Sequence, residues 1–176
     1  NEEICKKLFG TLDRRHPGVN KYMSSEDVFI AGKVTLIKNI EFDLGKYNLT
    51  PLQMRKIFTE KGWSKILGFH TRNVIHRSHE FIQLNALNNS GCDGLLLHPV
   101  IGEKKTGDFN TRIIMDTYNY MVENVYPNNR VILAGFNSNS YYAGPREAIL
   151  TALCRKNFGC SHFIVGRDHT GVSDFY

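Results

Sequence analysis

Two polar motifs in this chain combine residue types that bind anions. The first occupies residues 69–80 and reads FHTRNVIHRSHE. It joins an apolar stretch to a helical pattern, so we expect His76 and His79 on the first turns of a helix, where a spacing of three places them on one face. Free backbone N–H groups at a helix N-terminus bind anions. A hydroxyl, a guanidinium, an amide and two imidazoles at such a terminus predict a phosphate cradle.

The same residues allow two other interpretations. A pair of histidines at this spacing is more often a helix cap or part of a surface. The strand–loop–helix setting and the preceding loop residues Thr71, Arg72 and Asn73 favour the anion site here. A metal site has weaker support, because the spacing is not the H-E-x-x-H of zinc proteases and no third ligand is evident.

The second motif, VGRDHTG at residues 165–171, follows the last predicted strand. Its two glycines allow a ligand to approach the backbone closely. Arg167 can bind an anion with two parallel hydrogen bonds. Asp168 and His169 are candidates to orient each other or a nucleotide. Alone, a glycine-rich loop is a weak signal, and an ordinary turn would look the same.

A third loop, residues 98–108, also follows a predicted strand and contains Lys104 and Lys105. It is either a solvated loop or part of the same anion-binding mouth. Ligands of open parallel sheets bind outside the carboxyl ends of the strands. Because all three motifs follow strands, we expect them to meet at one edge of a sheet.

The elements that must position these motifs alternate along the chain. Strands are predicted at residues 65–69, 94–98, 130–134 and 162–165, and helices at 51–61, 75–88, 110–125 and 145–156. Thr50, Pro51 and Gln53 form a capping-box signature for the first of these helices. The alternation predicts a mostly parallel α/β sheet with right-handed crossovers. Residues 1–45 differ, with short β-rich pieces at 28–30 and 34–37.

Composition excludes several classes of protein. No stretch approaches the roughly 20 apolar residues of a membrane span, and the start does not resemble a signal peptide. The net charge of +5 fits either a basic surface or attraction of nucleotide phosphates. Basic residues do not alternate with aromatic ones, so nucleic acid is not an expected partner. Four cysteines without a C-x-x-C pair indicate a reducing, cytoplasmic compartment.

Taken together, the motifs resemble those of ATP sulfurylases. HTRNVIHRSHE is similar to the family's Q-x-R-N-P-x-H-x-x-H signature, and GRDHTG to its G-R-D-H-A-G motif. LHPVIGEKKTGD, AGPREA and RKNFGCSHFIVGRDH resemble further family segments in the family's order, and LFGTLDRRHPGV resembles the end of its N-terminal PUA-like β domain. The resemblance covers nearly the whole chain.

The resemblance implies a Rossmann-like nucleotidyltransferase domain at residues 46–176, after the tail of a PUA-like β domain and a linker at 1–45. The chain starts at Asn1 and ends soon after the G-R-D-H loop, so we expect a piece of a longer protein. The implied reaction converts ATP and sulfate into adenylyl sulfate and pyrophosphate, with Mg²⁺ carried on the ATP phosphates and no tightly bound protein metal. A homo-oligomer is the implied assembly.

The resemblance also implies roles for individual residues. Sulfate would contact Arg72, His70 and Thr170. Thr71 and Asn73 would bind near the reacting phosphate, and His76 and His79 would stabilise the ATP phosphates and the transition state. The remaining ATP-binding residues are in the second motif: Gly166, Arg167, Asp168 and His169.

Four positions depart from the family pattern. His70 replaces a glutamine that contacts sulfate, Val74 a proline, Tyr141 an arginine and Thr151 a histidine. A protonated His70 would bind an oxyanion more strongly, so we expect sulfate affinity to rise as the pH falls. His70 and the polar stretch before Tyr141 keep two alternatives open. These are an adenylyltransferase with a non-sulfate acceptor and a non-catalytic nucleotide-binding module.

Overall fold

Four parallel strands form the sheet at the centre of the computed structural model. The strands are β1 (Ile66–Thr71), β2 (Gly94–Pro99), β3 (Val131–Leu133) and β4 (His162–Ile164), in the order β3-β2-β1-β4. β1 pairs with β2 on one side and with β4 on the other, and all three pairings are parallel. The predicted parallel α/β sheet is confirmed. The structure describes residues 1–26, 28–38, 44–102, 104, 107–172 and 174–175.

Six helices accompany these strands in the described part of the chain. They are α1 (Glu2–Phe9), α2 (Pro17–Met23), α3 (Pro51–Glu60), α4 (Arg77–Asn89), α5 (Thr111–Asn124) and α6 (Pro145–Phe158), and a short 3-10 turn covers Gly45–Tyr47. α3 begins as predicted, because the Thr50 side chain accepts from the backbone of Gln53 and the Gln53 side chain accepts from the backbone of Thr50. None of the helices in the described ranges is long and apolar enough to cross a membrane.

The described chain forms two compact units. The sheet unit comprises Leu44–Ser140 and Ile149–Gly166, and the discontinuous unit comprises Asn1–Asp43, Tyr141–Ala148 and Arg167–Tyr176. The three pieces of the second unit are far apart in the sequence.

Successive side chains of each strand point to opposite faces of the sheet, so the sheet unit has two separate cores. Leu67 and Leu95 belong to a core with side chains of α4 and α5, including Leu87 and Ile114. The opposite face packs against α3 and the end of α6. Its core comprises Met54, Phe58, Ile66, Leu96, Ala134 and Cys160. Because successive strand side chains point to opposite faces, His70 of β1 projects from this second face.

The discontinuous unit has its own small core. Cys5, Phe9, Val19 and Ala143 are buried there. His16 precedes α2, and its Nδ1 accepts hydrogen bonds from the backbone N–H groups of Gly18 and Val19 at 3.1 and 3.2 Å. The His16 ring also lies against Phe9 and Phe175, with ring centroids 4.9 and 5.0 Å apart.

The predicted β-rich pieces in this unit are wrong as strands. Residues 28–30 and 34–37 have no strand pairing, and Ile30 and Ile37 are 96% and 97% exposed. β-branched composition favours a strand only where a neighbouring strand supplies hydrogen bonds and a core covers one face. Neither is present for these residues within the described part of the chain.

Candidate functional site

The first motif lies where the strand order reverses direction. The chain moves from β1 to β2 and on to β3, and it then crosses to the other side of β1 to form β4. At such a switch point the loops from two neighbouring strands leave in opposite directions, and a crevice opens between the carboxyl ends. β1 and β4 flank this crevice, Thr71 ends β1, and Gly166 follows β4 by two residues.

Thr71 is the last residue of β1, whereas the sequence analysis predicted it in the loop. It is buried, and its Oγ1 accepts the backbone N–H of Asn73 at 3.1 Å. Asn73 is exposed, whereas the next two residues, Val74 and Ile75, pack on the core against α4 and α5. The Thr71 hydroxyl and the packed side chains of Val74 and Ile75 therefore fix the turn that contains Arg72.

His76 also differs from its prediction. It is the N-cap of α4 with extended backbone angles (φ −141°, ψ 172°), so it lies outside the first helical turn, whereas His79 lies within it. The packing of Val74 and Ile75 on the core keeps the chain extended up to His76. The two imidazoles nevertheless stack, with ring centroids 3.7 Å apart. The expected pairing of the two histidines is present, with different backbone geometry.

His79 is neutral at neutral pH. Burial, reinforced by the neighbouring His76, lowers the pKa of His79 to about 4. Its ring also packs edge-on against Phe69, with centroids 5.6 Å apart. A neutral imidazole at a helix N-terminus donates from one nitrogen and accepts at the other. His79 can therefore hydrogen-bond a phosphate oxygen without adding a charge.

This lowered pKa predicts a loss of stability in mild acid. Between pH 6.5 and 4 the unfolded chain protonates His79 and the folded chain does not. The free energy of unfolding therefore falls with falling pH, by up to about 1 kcal/mol per pH unit. We expect His79→Phe to reduce the loss between pH 7 and pH 5, measured by urea denaturation. His162→Gln, at an exposed strand position, is the control, and an unchanged loss in His79→Phe would contradict the assignment.

Arg72 projects into a cluster of charges from the loop after β2. Its guanidinium Nη1 lies 3.6 Å from Oδ1 of Asp108, and both side chains are largely buried. Burial lowers the pKa of Lys104 to about 8, with Asp108 opposing the shift and Arg72 adding to it. Lys104 Nζ has no hydrogen-bond partner among the described residues. Among the described residues, this cluster brings two cationic side chains, those of Arg72 and Lys104, together with the carboxylate of Asp108.

The predicted contribution of the third loop is therefore only partly described. Lys104 lies beside Arg72 and Asp108, and Lys105 lies outside the described residues. Within the described ranges, no three side chains of the His, Cys, Asp and Glu types are grouped to hold a metal ion.

A second polar cluster lies on the face of β1 that packs against α3 and the end of α6. The sequence analysis does not predict this cluster. Arg155 of α6 is fully buried, and its Nη2 lies 2.7 Å from Nδ1 of His70. The same nitrogen donates to the carbonyl oxygen of His98 at 2.9 Å. His98 is the register partner of His70 on β2. Burial, reinforced by Arg155, holds the pKa of His98 well below its usual range, so His98 is neutral.

One sequence signal pointed to this arrangement. Gly68 interrupts the otherwise apolar strand ILGFH, and a Cβ placed there would lie 3.1 Å from Cγ of Arg155 and 3.1 Å from Sγ of Cys160. The glycine thus leaves space for the stem of a large side chain. From the sequence alone, Arg155 in the last turn of α6 would be interpreted as a surface residue whose charge interacts favourably with the helix dipole.

The second motif contributes residues to both units. Gly166 belongs to the sheet unit, and Arg167, Asp168, His169 and Thr170 belong to the discontinuous unit. Arg167 is exposed and its Nη2 forms an ion pair with Asp168 at 2.9 Å. The prediction that this motif and Arg72 share one pocket remains a prediction.

Thr170 is the most constrained residue of this motif. It is buried, it has a positive φ of 52°, and its hydroxyl donates to the carbonyl of His169 at 2.7 Å. A β-branched residue rarely adopts a positive φ, and backbone strain of this kind clusters at ligand sites.

Comparisons with known proteins agree on one family. The family model of ATP-sulfurylase matches residues 45–176, and that of a PUA-like domain matches residues 1–39. The chain is 46% identical to a sulfate adenylyltransferase of Symbiobacterium thermophilum, over 97% of this chain and 43% of that protein. It is 44% identical to a sulfate adenylyltransferase of Pyrococcus abyssi, over 99% of this chain and 46% of that protein.

A solved structure extends the comparison to the fold. A hexameric APS kinase from Thiobacillus denitrificans superposes with a TM-score of 0.60 at 26% identity, over 74% of this chain and 26% of that chain. The chain spans less than half the length of the curated relatives described above. On the match over residues 45–176 and the identity along almost its whole length, the chain belongs to the ATP-sulfurylase family.

Proposed function

We propose that the protein containing this chain is a sulfate adenylyltransferase, which converts ATP and sulfate into adenylyl sulfate and pyrophosphate. The observation that carries the proposal is the pair of cationic side chains beside the end of β1. Among the described residues, Arg72 and Lys104 lie there with the carboxylate of Asp108, at the crevice where parallel sheets bind ligands. Family membership and the relatives named sulfate adenylyltransferase support it.

The chemistry requires positioning and charge neutralisation, with no general base. Sulfate is fully ionised at neutral pH, so one of its oxygens attacks the α-phosphorus of ATP directly. The new oxygen–phosphorus bond forms as the bond to the bridging oxygen of the β-phosphate breaks, and pyrophosphate leaves with that electron pair. ATP enters as its Mg²⁺ complex, so the metal arrives with the substrate. Cations and N–H donors aimed at the developing charge lower the barrier.

The proposed contacts follow the two motifs. Arg72, His70 and Thr170 bind sulfate, with the Arg72 guanidinium able to present two parallel N–H groups. His76 and His79 hydrogen-bond the ATP phosphates at the start of α4. The other proposed nucleotide contacts are Thr71, Asn73, Gly166, Arg167, Asp168 and His169.

One observation favours a second candidate, an adenylyltransferase with another acceptor. The position at which the family signature has glutamine is His70, whose ring contacts Arg155 and lies edge-on to Phe136. A different donor at the acceptor site would change which oxyanion fits. A non-catalytic nucleotide-binding module has less support, since the charged residues of both motifs are retained.

We also propose the domain division, location and assembly that the family resemblance implies. Residues 46–176 would be the nucleotidyltransferase domain and residues 1–45 the end of a PUA-like domain with its linker. Four free cysteines support a reducing, cytoplasmic location. A homo-oligomer is the proposed assembly of the full-length protein.

Pyrophosphate release from MgATP tests the function directly. The full-length protein would be assayed with sulfate, selenate, molybdate and no oxyanion. We expect release with sulfate and with its tetrahedral mimics, and none without an oxyanion. Release with another oxyanion but not with sulfate would favour the second candidate. ATP binding without release under every condition would favour the non-catalytic module.

A further inference from the structure

Glu147 is a buried carboxylate that accepts hydrogen bonds from residues four to six positions earlier in the chain. It lies in the first turn of α6 and is 3% exposed. Its Oε1 and Oε2 accept the backbone N–H of Tyr141 at 3.1 and 3.2 Å, and Oε2 also accepts that of Ala143 at 3.1 Å. The backbone N–H of Tyr142 and the hydroxyl of Thr170 also hydrogen-bond this carboxylate.

An ordinary helix cap does not account for this arrangement. A glutamate at the third position of a helix usually accepts the N–H of the residue directly before the helix, which is Gly144 for α6. Glu147 instead reaches past Gly144 to Tyr141 and Ala143, so it fixes the loop that precedes the helix. Burial raises the pKa of Glu147, and the hydrogen bonds from this loop oppose the shift. A buried carboxylate is tolerated where such bonds replace water.

Two unfavourable backbone conformations lie beside this carboxylate. Tyr142 has a φ of 59° and Thr170 a φ of 52°, and they are two of the three non-glycine residues with positive φ in the described ranges. Such conformations persist only where the surrounding contacts impose them. Glu147 hydrogen-bonds both residues, so its carboxylate is one of the contacts that impose them.

The loop of residues 141–143 is also held from its other side, by the start of α2. A hydrogen bond joins His16 to the backbone of Tyr142. Gly18 lies so close that a Cβ placed on it would be 2.5 Å from the carbonyl oxygen of Tyr141. The loop is therefore a fixed base within the discontinuous unit, and Glu147 joins the second motif to it.

We propose that Glu147 is a positioning residue, whose carboxylate fastens Thr170 to the loop of residues 141–143 and thereby fixes the backbone conformation of the second motif. The consequence for catalysis rests on the proposed function, in which Thr170 and residues 166–169 contact the substrates. The conformational part does not depend on that function, because it follows from hydrogen bonds within the discontinuous unit.

Glutamine is the sharpest replacement for this residue. Backbone N–H groups only donate, so they require acceptors at both oxygens of the side chain. Glu147→Gln keeps the size of the side chain but replaces one acceptor oxygen by an NH₂ donor. A role in filling space would survive this change, whereas a role in holding the loop and the second motif would not. Glu60→Gln, at a side chain that is 63% exposed, is the matched control.

Amide hydrogen exchange of the full-length protein tests the conformational part without any activity. We expect slow exchange at Tyr141 and Ala143 in the unmodified protein. Glu147→Gln should accelerate exchange about tenfold or more at these amides and at residues 167–170, with β2 unchanged. Fast exchange at Tyr141 and Ala143 in the unmodified protein overturns the inference. Acceleration that stops at the loop makes Glu147 a local cap and overturns the link to the second motif.

Kinetics test whether Glu147 acts through Thr170. Glu147→Gln is expected to lower kcat/KM for sulfate about tenfold and Glu147→Ala about 100-fold, at a temperature where circular dichroism shows both variants folded. Thr170→Val removes the hydroxyl at nearly constant size. If Glu147 acts through that residue, the double variant Glu147→Gln/Thr170→Val should be little worse than the poorer single variant. Additive losses, or a Glu147→Gln enzyme as active as the Glu60→Gln control, contradict the positioning role.

Two further results keep these outcomes distinct. If Glu147→Ala does not fold, Glu147→Gln still completes the double-variant comparison, and exchange at Tyr141 in the unmodified protein still supports or overturns the loop contact. If the unmodified protein shows no turnover with sulfate, the proposed function fails. Exchange at residues 167–170 in Glu147→Gln then still confirms or overturns the link between Glu147 and the second motif.

Discussion

Replacing Arg72 by alanine is expected to lower pyrophosphate release from MgATP and sulfate by about 100- to 1,000-fold in the full-length protein. The guanidinium lies at the carboxyl end of β1 beside Asp108, where negative charge of both substrates would meet. Without it, Asp108 would repel the incoming anion. The expected signature is a fall in kcat/KM for sulfate, measured with a coupled pyrophosphate assay, and ATP binding that is nearly unchanged.

Arg77→Ala provides a matched control for this prediction. Arg77 is five residues further along, is 91% exposed and forms an ion pair with Glu80 at 3.2 Å. Exposed pairs contribute little to stability, so this variant should be nearly as active as the unmodified protein. Arg72→Lys keeps a charge for Asp108 but loses the planar fork, and an intermediate activity is expected. Equal activity of Arg72→Ala and Arg77→Ala would remove Arg72 from the site.

Leu96→Ala is expected to lower the free energy of unfolding by about 3–5 kcal/mol. Leu96 is 0% exposed on the central strand β2, in the core formed with α3. Truncation would leave a cavity between the sheet and the helices, which close packing does not allow to collapse fully. The measurement is urea denaturation followed by far-ultraviolet circular dichroism.

The control for the core prediction is Leu153→Ala. This leucine lies on α6 and is 54% exposed, so the same change of side chain removes little buried surface. We expect a destabilisation below about 1 kcal/mol. If both leucine variants unfolded at the same urea concentration, the packing of β2 described above would be wrong.

The sequence was sufficient to predict the helices, the strands and the parallel direction of the strands. Local signals such as the Thr50–Gln53 box and the apolar run at β2 depend on near neighbours, and the helix and strand limits agree within about two residues. Strand order is not local. Nothing near β4 indicates that it pairs with β1, because that pairing depends on contacts across almost a hundred residues.

Within the site, the residues of the first motif were predictable and their partners were not. Asp108 is separated from Arg72 by a helix and a strand, and Arg155 reads from the sequence as an ordinary basic residue near a helix end. Periodicity predicts His76 inside the helix, because it cannot show that the preceding apolar residues stay extended. The exposed segments 28–30 and 34–37 show the reverse case, in which strand-forming composition lacks a strand to pair with.

The discontinuous unit has a consequence for synthesis on the ribosome. Its ring contact between His16 and Phe175 joins residues 159 positions apart, and its core includes Ala143 along with residues of α1 and α2. Closing so long a loop is slow compared with forming local helices. The first helices must therefore wait, with Phe9 and Val19 incompletely covered, until nearly all of this chain has been translated. During that interval the nascent chain is a natural substrate for chaperones that shield apolar surface.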